Sequence, residues 1–166
     1  NTYAGNNAAI GYRALHTNTT GYYNVALGTN ALYANSTGRR NIAIGVSALL
    51  SNSTGAFNVA IGVLSMCKTT TGGGNVALGN STLICNITGN NNIAVGDSAL
   101  QKNTGSSNTA VGTGALYNNI ASNNTAVGFQ SSACNTSGYA NAALGFRSLG
   151  ANTTGRSNTA VGYYAL

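Results

Sequence analysis

The chain has 166 residues, of which 26 are Asn and 23 are Gly, and it carries seven Lys or Arg side chains against one Asp and one His. Without Glu, it lacks the paired carboxylates of glycosidases and has one candidate His–carboxylate pair for acid–base catalysis. An apolar fraction of 43% with 5% charged residues is also unlike a disordered chain, which combines low hydrophobicity with high net charge. We therefore predict a folded protein that is not an enzyme.

A repeat of 16 or 17 residues runs through the whole sequence. The pentapeptide Asn-x-Ala-x-Gly occurs ten times, and we number the positions of each repeat from its Asn. These position-1 residues are Asn7, Asn24, Asn41, Asn58, Asn75, Asn92, Asn108, Asn124, Asn141 and Asn158. Because nothing interrupts the array, residues 1–166 are predicted to be a single domain, a segment of a longer chain or assembly.

Positions 1 to 5 predict a short strand. Successive side chains of a strand alternate between its two faces, so positions 2 and 4 share one face and positions 1, 3 and 5 share the other. Position 4 is always Ile, Leu or Val, which predicts a core site, and the mixed position 2 predicts partial burial. Position 3 is always Ala, for example Ala94, which predicts a close approach by the opposite side of the coil or by another chain.

The rest of the repeat predicts a second strand and a turn. Ala-Leu at positions 8 and 9 fits a strand whose Leu points into the core, and the following Asn-Thr-Thr-Gly is typical of turns. A helix over Ala-Leu-x-x-Asn is the alternative, but Gly and turn residues interrupt each stretch before two helical turns can form. The pattern predicts an all-β parallel β-solenoid, or β-roll, of about ten coils of 16–17 residues.

The invariant Asn at position 1 predicts a structural ladder. Coils of a solenoid stack about 4.8 Å apart, so equivalent Asn side chains can hydrogen-bond from coil to coil. Ligand binding through the same side chains is the alternative.

Asn-x-Ser/Thr sequons coincide with the predicted turn. Six lie at position 12, with two more at Asn80 and Asn123. They are open to glycosylation in a eukaryotic secretory pathway, or they match the sequon because Asn-Thr-Thr-Gly is turn chemistry. The position-12 candidates are Asn18, Asn35, Asn52, Asn86, Asn135 and Asn152.

The remaining reactive side chains are scattered. His16 and Asp97 lie in the first and sixth repeats, too far apart for a catalytic pair, and no cofactor or metal site is predicted. Cys67 and Cys85 on neighbouring coils fit either a disulfide or two thiols, and Cys134 is left over. The basic residues form no stripe, so specific nucleic-acid binding is not predicted.

Arginine and aromatic residues are predicted on the surface. Arg39 and Arg40 fall outside the core positions and are expected to be exposed. The Tyr and Phe residues also avoid the core columns, where they either pack between coils or contact a glycan or receptor.

The string Asn158-Thr-Ala-Val-Gly-Tyr-Tyr-Ala-Leu166 resembles the head repeat of trimeric autotransporter adhesins of the YadA type and similar repeats of phage and viral tail fibres. Asn41 to Ala48 and Asn92 to Ala99 match equally well. The resemblance implies a left-handed β-roll, assembled as a homotrimer outside the cell and binding host matrix or receptor. The family's repeat is shorter, and this chain adds the Asn-Thr-Thr-Gly turn.

Three functions follow as hypotheses. The first is a structural and adhesive rod of an extracellular, cell-surface or virion fibre that attaches to a host receptor, matrix or glycan, without a membrane span. The second is an extracellular filament whose subunits stack end to end. The third is an ice-binding solenoid, suggested by Thr and Ser columns such as Thr19, Ser36 and Ser53. A self-sufficient monomer is the alternative to both assemblies.

Overall fold

The computed structural model describes residues 5–166, which form an all-β parallel solenoid with one three-residue strand per repeat. Each strand pairs with the next along the chain in a single ten-stranded sheet, and the pairing is in register, as with Ala43 beside Ala60. The predicted solenoid is confirmed, and its handedness stays a prediction. The strands are Ala8–Ile10 (β1), Val25–Leu27 (β2), Ile42–Ile44 (β3), Val59–Ile61 (β4), Val76–Leu78 (β5), Ile93–Val95 (β6), Thr109–Val111 (β7), Thr125–Val127 (β8), Ala142–Leu144 (β9) and Thr159–Val161 (β10).

The interior of the coil is filled by positions 3, 8 and 9. In the third coil these are Ala43, Ala48 and Leu49, all fully buried, and Met66 takes the place of Leu in the fourth. The core position predicted for the Leu column is therefore confirmed. The close approach predicted for the Ala column is made by the opposite side of the same coil, since both columns belong to one buried cluster.

The prediction that position 4 is a core site is wrong. Ile61 is 39% exposed, whereas its neighbour Ala60 is completely buried. Because the side chains of a strand alternate, the inward-facing Asn and Ala of positions 1 and 3 place positions 2 and 4 on the outside. The coil is narrow, and the Leu of position 9 faces Ala rather than a second aliphatic column.

The predicted second strand is also wrong, because the chain makes a series of turns there. Residues at positions 7 and 9 have left-handed backbones, for example φ 56° at Ser47 and φ 49° at Leu49. Their N–H groups bond to the coils on either side. Ser47 donates to the carbonyl of Thr29 in the preceding coil at 2.9 Å, and Leu49 donates to the carbonyl of Ser65 in the following coil at 3.0 Å. A left-handed Leu costs about 1–2 kcal/mol, and burying its side chain contributes about 1.5–3 kcal/mol.

The asparagine ladder at position 1 is confirmed. The backbone N–H of Asn75 donates to Oδ1 of Asn58 at 3.1 Å, and the same bond joins every consecutive pair from Asn7 to Asn158. Nδ2 of Asn58 donates to the carbonyl of Gly72 at 2.8 Å, within the same coil. Asn suits this position because its amide oxygen accepts from the next coil while its NH2 group donates across its own coil.

A second asparagine ladder, not predicted, runs along position 12. Nδ2 of Asn52 donates to Oδ1 of Asn35 at 2.8 Å and to the carbonyl of Gly55 at 3.1 Å. A Cβ on Gly55 would collide with Asn52 Oδ1, so this turn needs Gly for space rather than for its φ angle. The residues predicted as a turn thus also form a buried structural column.

The two 16-residue repeats shorten this turn and leave the sheet intact. Asn103 donates to the carbonyl of Gly105 two residues ahead, where Asn52 reaches three residues ahead. The strands on either side keep their register, since Ala94 pairs with Ala110 and Ala110 with Ala126. The deletion is tolerated because it removes a turn residue and no ladder partner.

Replacing Thr69 with Asn is expected to stabilise the fold by about 1 kcal/mol, the net value of one hydrogen bond. Thr69 interrupts the second ladder: its hydroxyl donates to the carbonyl of Asn86, and Oδ1 of Asn52 is left buried without a partner. An Asn there would donate to Asn52. Denaturant unfolding measures the change, with Thr69→Ala as the control that removes the hydroxyl and adds no donor. Equal or lower stability of Thr69→Asn would contradict this account.

Candidate functional site

The outer face of the sheet, formed by positions 2 and 4 of the strands, runs along all ten coils. It carries only Ala, Val, Ile, Leu and Thr side chains and no charge. The exposed fractions are 37% for Ile42, 39% for Ile61 and 42% for Ile93, so the exposure is not confined to the ends of the rod. We call this surface the outer sheet face. It was missed in the sequence because aliphatic residues were assigned to the core, although the invariant Asn and Ala of positions 1 and 3 mark the inward side.

The asparagine columns are interior and offer no binding surface. From Asn24 to Asn141, the position-1 side chains are at least 97% buried and bonded within the ladder. The six position-12 sequons are equally engaged, and the side-chain nitrogen of each donates to the carbonyl of the Gly three residues ahead. The structure therefore shows the structural role of these residues in the turn: five of the six Asn side chains are buried and Asn152 is half-buried, and glycosylation at them stays a prediction. The sequons at Asn80 and Asn123 are exposed.

All three cysteines are free thiols. Cys67 is buried, Cys85 is half-buried and Cys134 is exposed. Burial raises the pKa of the Cys67 thiol, which disfavours the reactive thiolate. Of the two interpretations that the sequence left open, the structure shows the one without a disulfide.

The candidate acid–base residues lie in separate coils. The His16 ring stacks on Tyr33 with centroids 5.4 Å apart. Asp97 accepts hydrogen bonds from Nδ2 of Asn80 at 3.2 Å and from Oγ of Ser98 at 3.0 Å. Within residues 5–166, no three His, Cys, Asp or Glu side chains come together as metal ligands.

Aromatic and basic side chains stack along the rod. Phe129, Phe146 and Tyr163 occupy one column with centroid separations of 5.3 and 5.2 Å. The guanidinium of Arg40 lies over the Tyr23 ring at 6.0 Å and over the Phe57 ring at 5.3 Å. Arg39 and Arg40 are exposed, as predicted. Packing between coils therefore uses these rings.

A groove runs along the side of the rod between positions 7 and 10–11. Its larger part has a volume of about 540 Å³ and adjoins a second part of about 320 Å³. Both parts are lined by Gln130, Ala133 and Cys134, and the groove extends to Tyr117 at one end and Tyr164 at the other. We call it the side trough. It begins beyond the turn at position 5, away from the outer sheet face.

Comparison of the chain with protein-family models, curated proteins and solved structures finds no match. The repeat, the continuous sheet and the two ladders define a parallel β-solenoid repeat protein. Residues 5–166 also contain no helix of the length and apolar character needed to cross a membrane.

Proposed function

We propose that this chain is a rod-forming segment of an extracellular, cell-surface or virion fibre, and that its outer sheet face packs against further copies of the same chain. The observation that carries this proposal is the uncharged outer face of all ten strands, on which the position-4 column is Ile, Leu or Val without interruption. Burying such a surface contributes about 25 cal/mol per Å², so a partner that covers it stabilises the assembly.

The dimensions of the outer sheet face support an interaction surface. Nine steps of about 4.8 Å give a length of about 43 Å, and a three-residue strand is about 10 Å wide. The resulting footprint of about 430 Å² is within the size range of the largest apolar patches on monomers, which are often functional. Val46, Val63 and Phe57 are exposed beyond the strands and enlarge the apolar area. The face alone is about half of the roughly 800 Å² per partner of stable interfaces, so a stable assembly also covers its flanks.

A second copy is the occupant that best fits this surface. The side chains repeat at one strand spacing along the rod, and another copy presents the same apolar columns at the same spacing. Neither surface contributes a charge that would be buried without a partner. The YadA-type resemblance supports three chains side by side, and the fibre then displays its lateral surfaces for attachment to a host receptor, matrix or glycan.

The test replaces Ile61 and Ile93 together with Lys and measures absolute mass in solution by light scattering over a range of concentrations. We expect a fixed mass of about 50 kDa for the original chain, three times the 16.6 kDa of one chain, and a monomer for the double variant. The exposed turn residues Thr37 and Thr54 give a matched control, because Thr37→Lys with Thr54→Lys adds the same charge elsewhere.

Other masses would overturn the trimer. If the original chain is a 16.6 kDa monomer, no second copy of the chain packs against the outer sheet face. Species that grow with concentration and persist in the Ile61, Ile93 double variant would favour the end-to-end filament. The ice-binding hypothesis stays a prediction, but the hydroxyls of Thr19 and Ser36 already donate to carbonyls of the next coil at 2.9 and 3.0 Å.

A further inference from the structure

We propose that the side trough binds an acidic oligosaccharide, with Arg147 contacting a sugar carboxylate. The inference deepens the attachment role proposed above by giving it a site and a ligand class. It can be tested whether or not the chain self-associates, because the trough lies apart from the outer sheet face.

The trough exists because two columns change character in the same coils. At position 10 most coils carry a large side chain, such as Tyr33, Leu50 or Tyr117, whereas the eighth and ninth coils carry Ala133 and Gly150. Position 7 changes in the opposite direction: Ser81, Ser98 and Gly114 of the fifth to seventh coils give way to Gln130, Arg147 and Tyr164. The small residues at position 10 form the floor of the trough, and the large residues at position 7 form a wall beside it.

The wall carries a guanidinium that two neighbouring side chains orient. Nε of Arg147 donates to Oε1 of Gln130 at 2.8 Å, and Nη1 donates to the hydroxyl of Tyr164 at 3.1 Å. The guanidinium also lies 5.7 Å from the centroid of Phe146. Arginine has five N–H donors, so three remain for a ligand, and the Nη1–Nη2 edge matches a carboxylate.

A second cation lies beside the other end of the trough, in contact with two of its lining residues. Nζ of Lys102 donates to Oδ1 of Asn118 at 3.0 Å and lies 5.2 Å from the centroid of the Tyr117 ring. Three coils separate Lys102 from Arg147, a distance of about 14 Å along the rod. The only acid of the chain, Asp97, does not line the trough. The charge of the trough and its border therefore complements an anionic ligand.

The lining distinguishes a sugar from an anion in general. Small-molecule sites combine apolar and aromatic walls with a few fixed polar groups, and the floor here is Ala133, Gly150 and Ala151 between the end residues Tyr117 and Tyr164. Such a surface fits the apolar face of a sugar ring, and because Gln130 is bonded to Arg147 through Oε1, its side-chain NH2 group can donate to a sugar hydroxyl.

Binding is measured by calorimetry with two acidic probes, tetragalacturonate and sialyllactose, and their neutral counterparts maltotetraose and lactose. We expect an acidic probe to bind at least about tenfold more tightly than its neutral counterpart, since a charge-assisted hydrogen bond exceeds the 1.4 kcal/mol of a tenfold change. If only tetragalacturonate binds, the sugar acid that the trough recognises is a uronic acid. If only sialyllactose binds, it is a sialic acid. Equal binding of acidic and neutral sugars, or equal binding of a tetraglutamate peptide, would overturn the proposal.

Two variants locate the site. Arg147→Gln is expected to remove the preference for the acidic probe, and Ala133→Tyr, which places in the trough the residue found at position 10 of other coils, should abolish binding. Arg156→Gln is the matched control, because Arg156 bonds the Tyr139 hydroxyl outside the trough. Loss of binding in Arg156→Gln equal to that in Arg147→Gln would overturn the assignment.

The thiol of Cys134 gives an independent readout because Cys134 lines the trough. A bound oligosaccharide should slow the alkylation of Cys134 several-fold and leave Cys85, which is outside the trough, unaffected. Unchanged alkylation of Cys134 at saturating tetragalacturonate and sialyllactose would place any bound sugar elsewhere. Light scattering of the same variants separates this result from a failure of the proposed assembly.

Discussion

Alanine in place of Gly62 is expected to destabilise the chain by about 4 kcal/mol or more, the range reached when a substitution strains both the backbone and a packed interface. Gly62 has φ 134°, a conformation that side chains rarely adopt. A Cβ there would lie 2.6 Å from the carbonyl carbon of Gly79 and closer still to its oxygen. Relief requires the two coils to separate, which weakens the 2.8 Å bond from the Gly79 N–H to the carbonyl of Ile61.

Gly162→Ala separates the two causes of this loss. Gly162 has nearly the same φ, 131°, but the nearest atom to a Cβ there is Cβ of Ala165 at 3.8 Å. This control should therefore show only the conformational cost, about 1–3 kcal/mol. Denaturant unfolding followed by circular dichroism measures both variants. If Gly62→Ala were no less stable than Gly162→Ala, the stacking of the position-5 glycines would not be as close as described.

Leucine in place of Ser132 is expected to stabilise the chain by about 3 kcal/mol. Ser132 stands in the Leu column of position 9, is 2% exposed, and its hydroxyl has no hydrogen-bond partner. Filling the position buries a Leu side chain, worth about 1.5–3 kcal/mol, and removes a buried unpaired hydroxyl, worth about 1–3 kcal/mol. The backbone is already suitable, because Ser132 has φ 50° and the buried Leu149 of the next coil has φ 48°.

Ser132→Ala is the control for this stabilisation. It removes the hydroxyl without filling the column, so it should recover only the smaller part of the gain. Thermal unfolding of the three chains gives the order Leu above Ala above Ser. A Leu variant less stable than the Ala variant would show that the neighbouring coils leave no room at this position and that the added methyl groups strain the core.

The sequence by itself determined the architecture. A strict repeat too short for a helical hairpin, with Gly and turn residues in every copy, is compatible with a β-solenoid, and the invariant Asn at position 1 is explained by an amide ladder. These inferences succeed because each coil must stack on its neighbours. The residues that stacking requires therefore recur in all ten repeats, whereas the other positions vary.

The sequence was insufficient for the candidate sites. The side trough depends on Ala133 and Gly150 lying opposite Gln130 and Arg147, and their opposition across a groove follows from the turns between positions 7 and 10. In the sequence Cys134 is a third cysteine without a partner, and nothing in the repeat places it beside a groove. The repeat pattern shows which residues stack on one another from coil to coil, but it does not give the distance between one stack and the next.

The direction in which side chains point was decided only by the tertiary structure. Alternation along a strand defines two faces and does not say which is inside, and hydrophobicity alone favoured Ile61 over Ala60. The coil reverses that choice because Leu49, held in a left-handed conformation that no strand contains, fills the interior from the opposite side. Only Ala then fits beneath the sheet, which leaves the aliphatic columns on the outside.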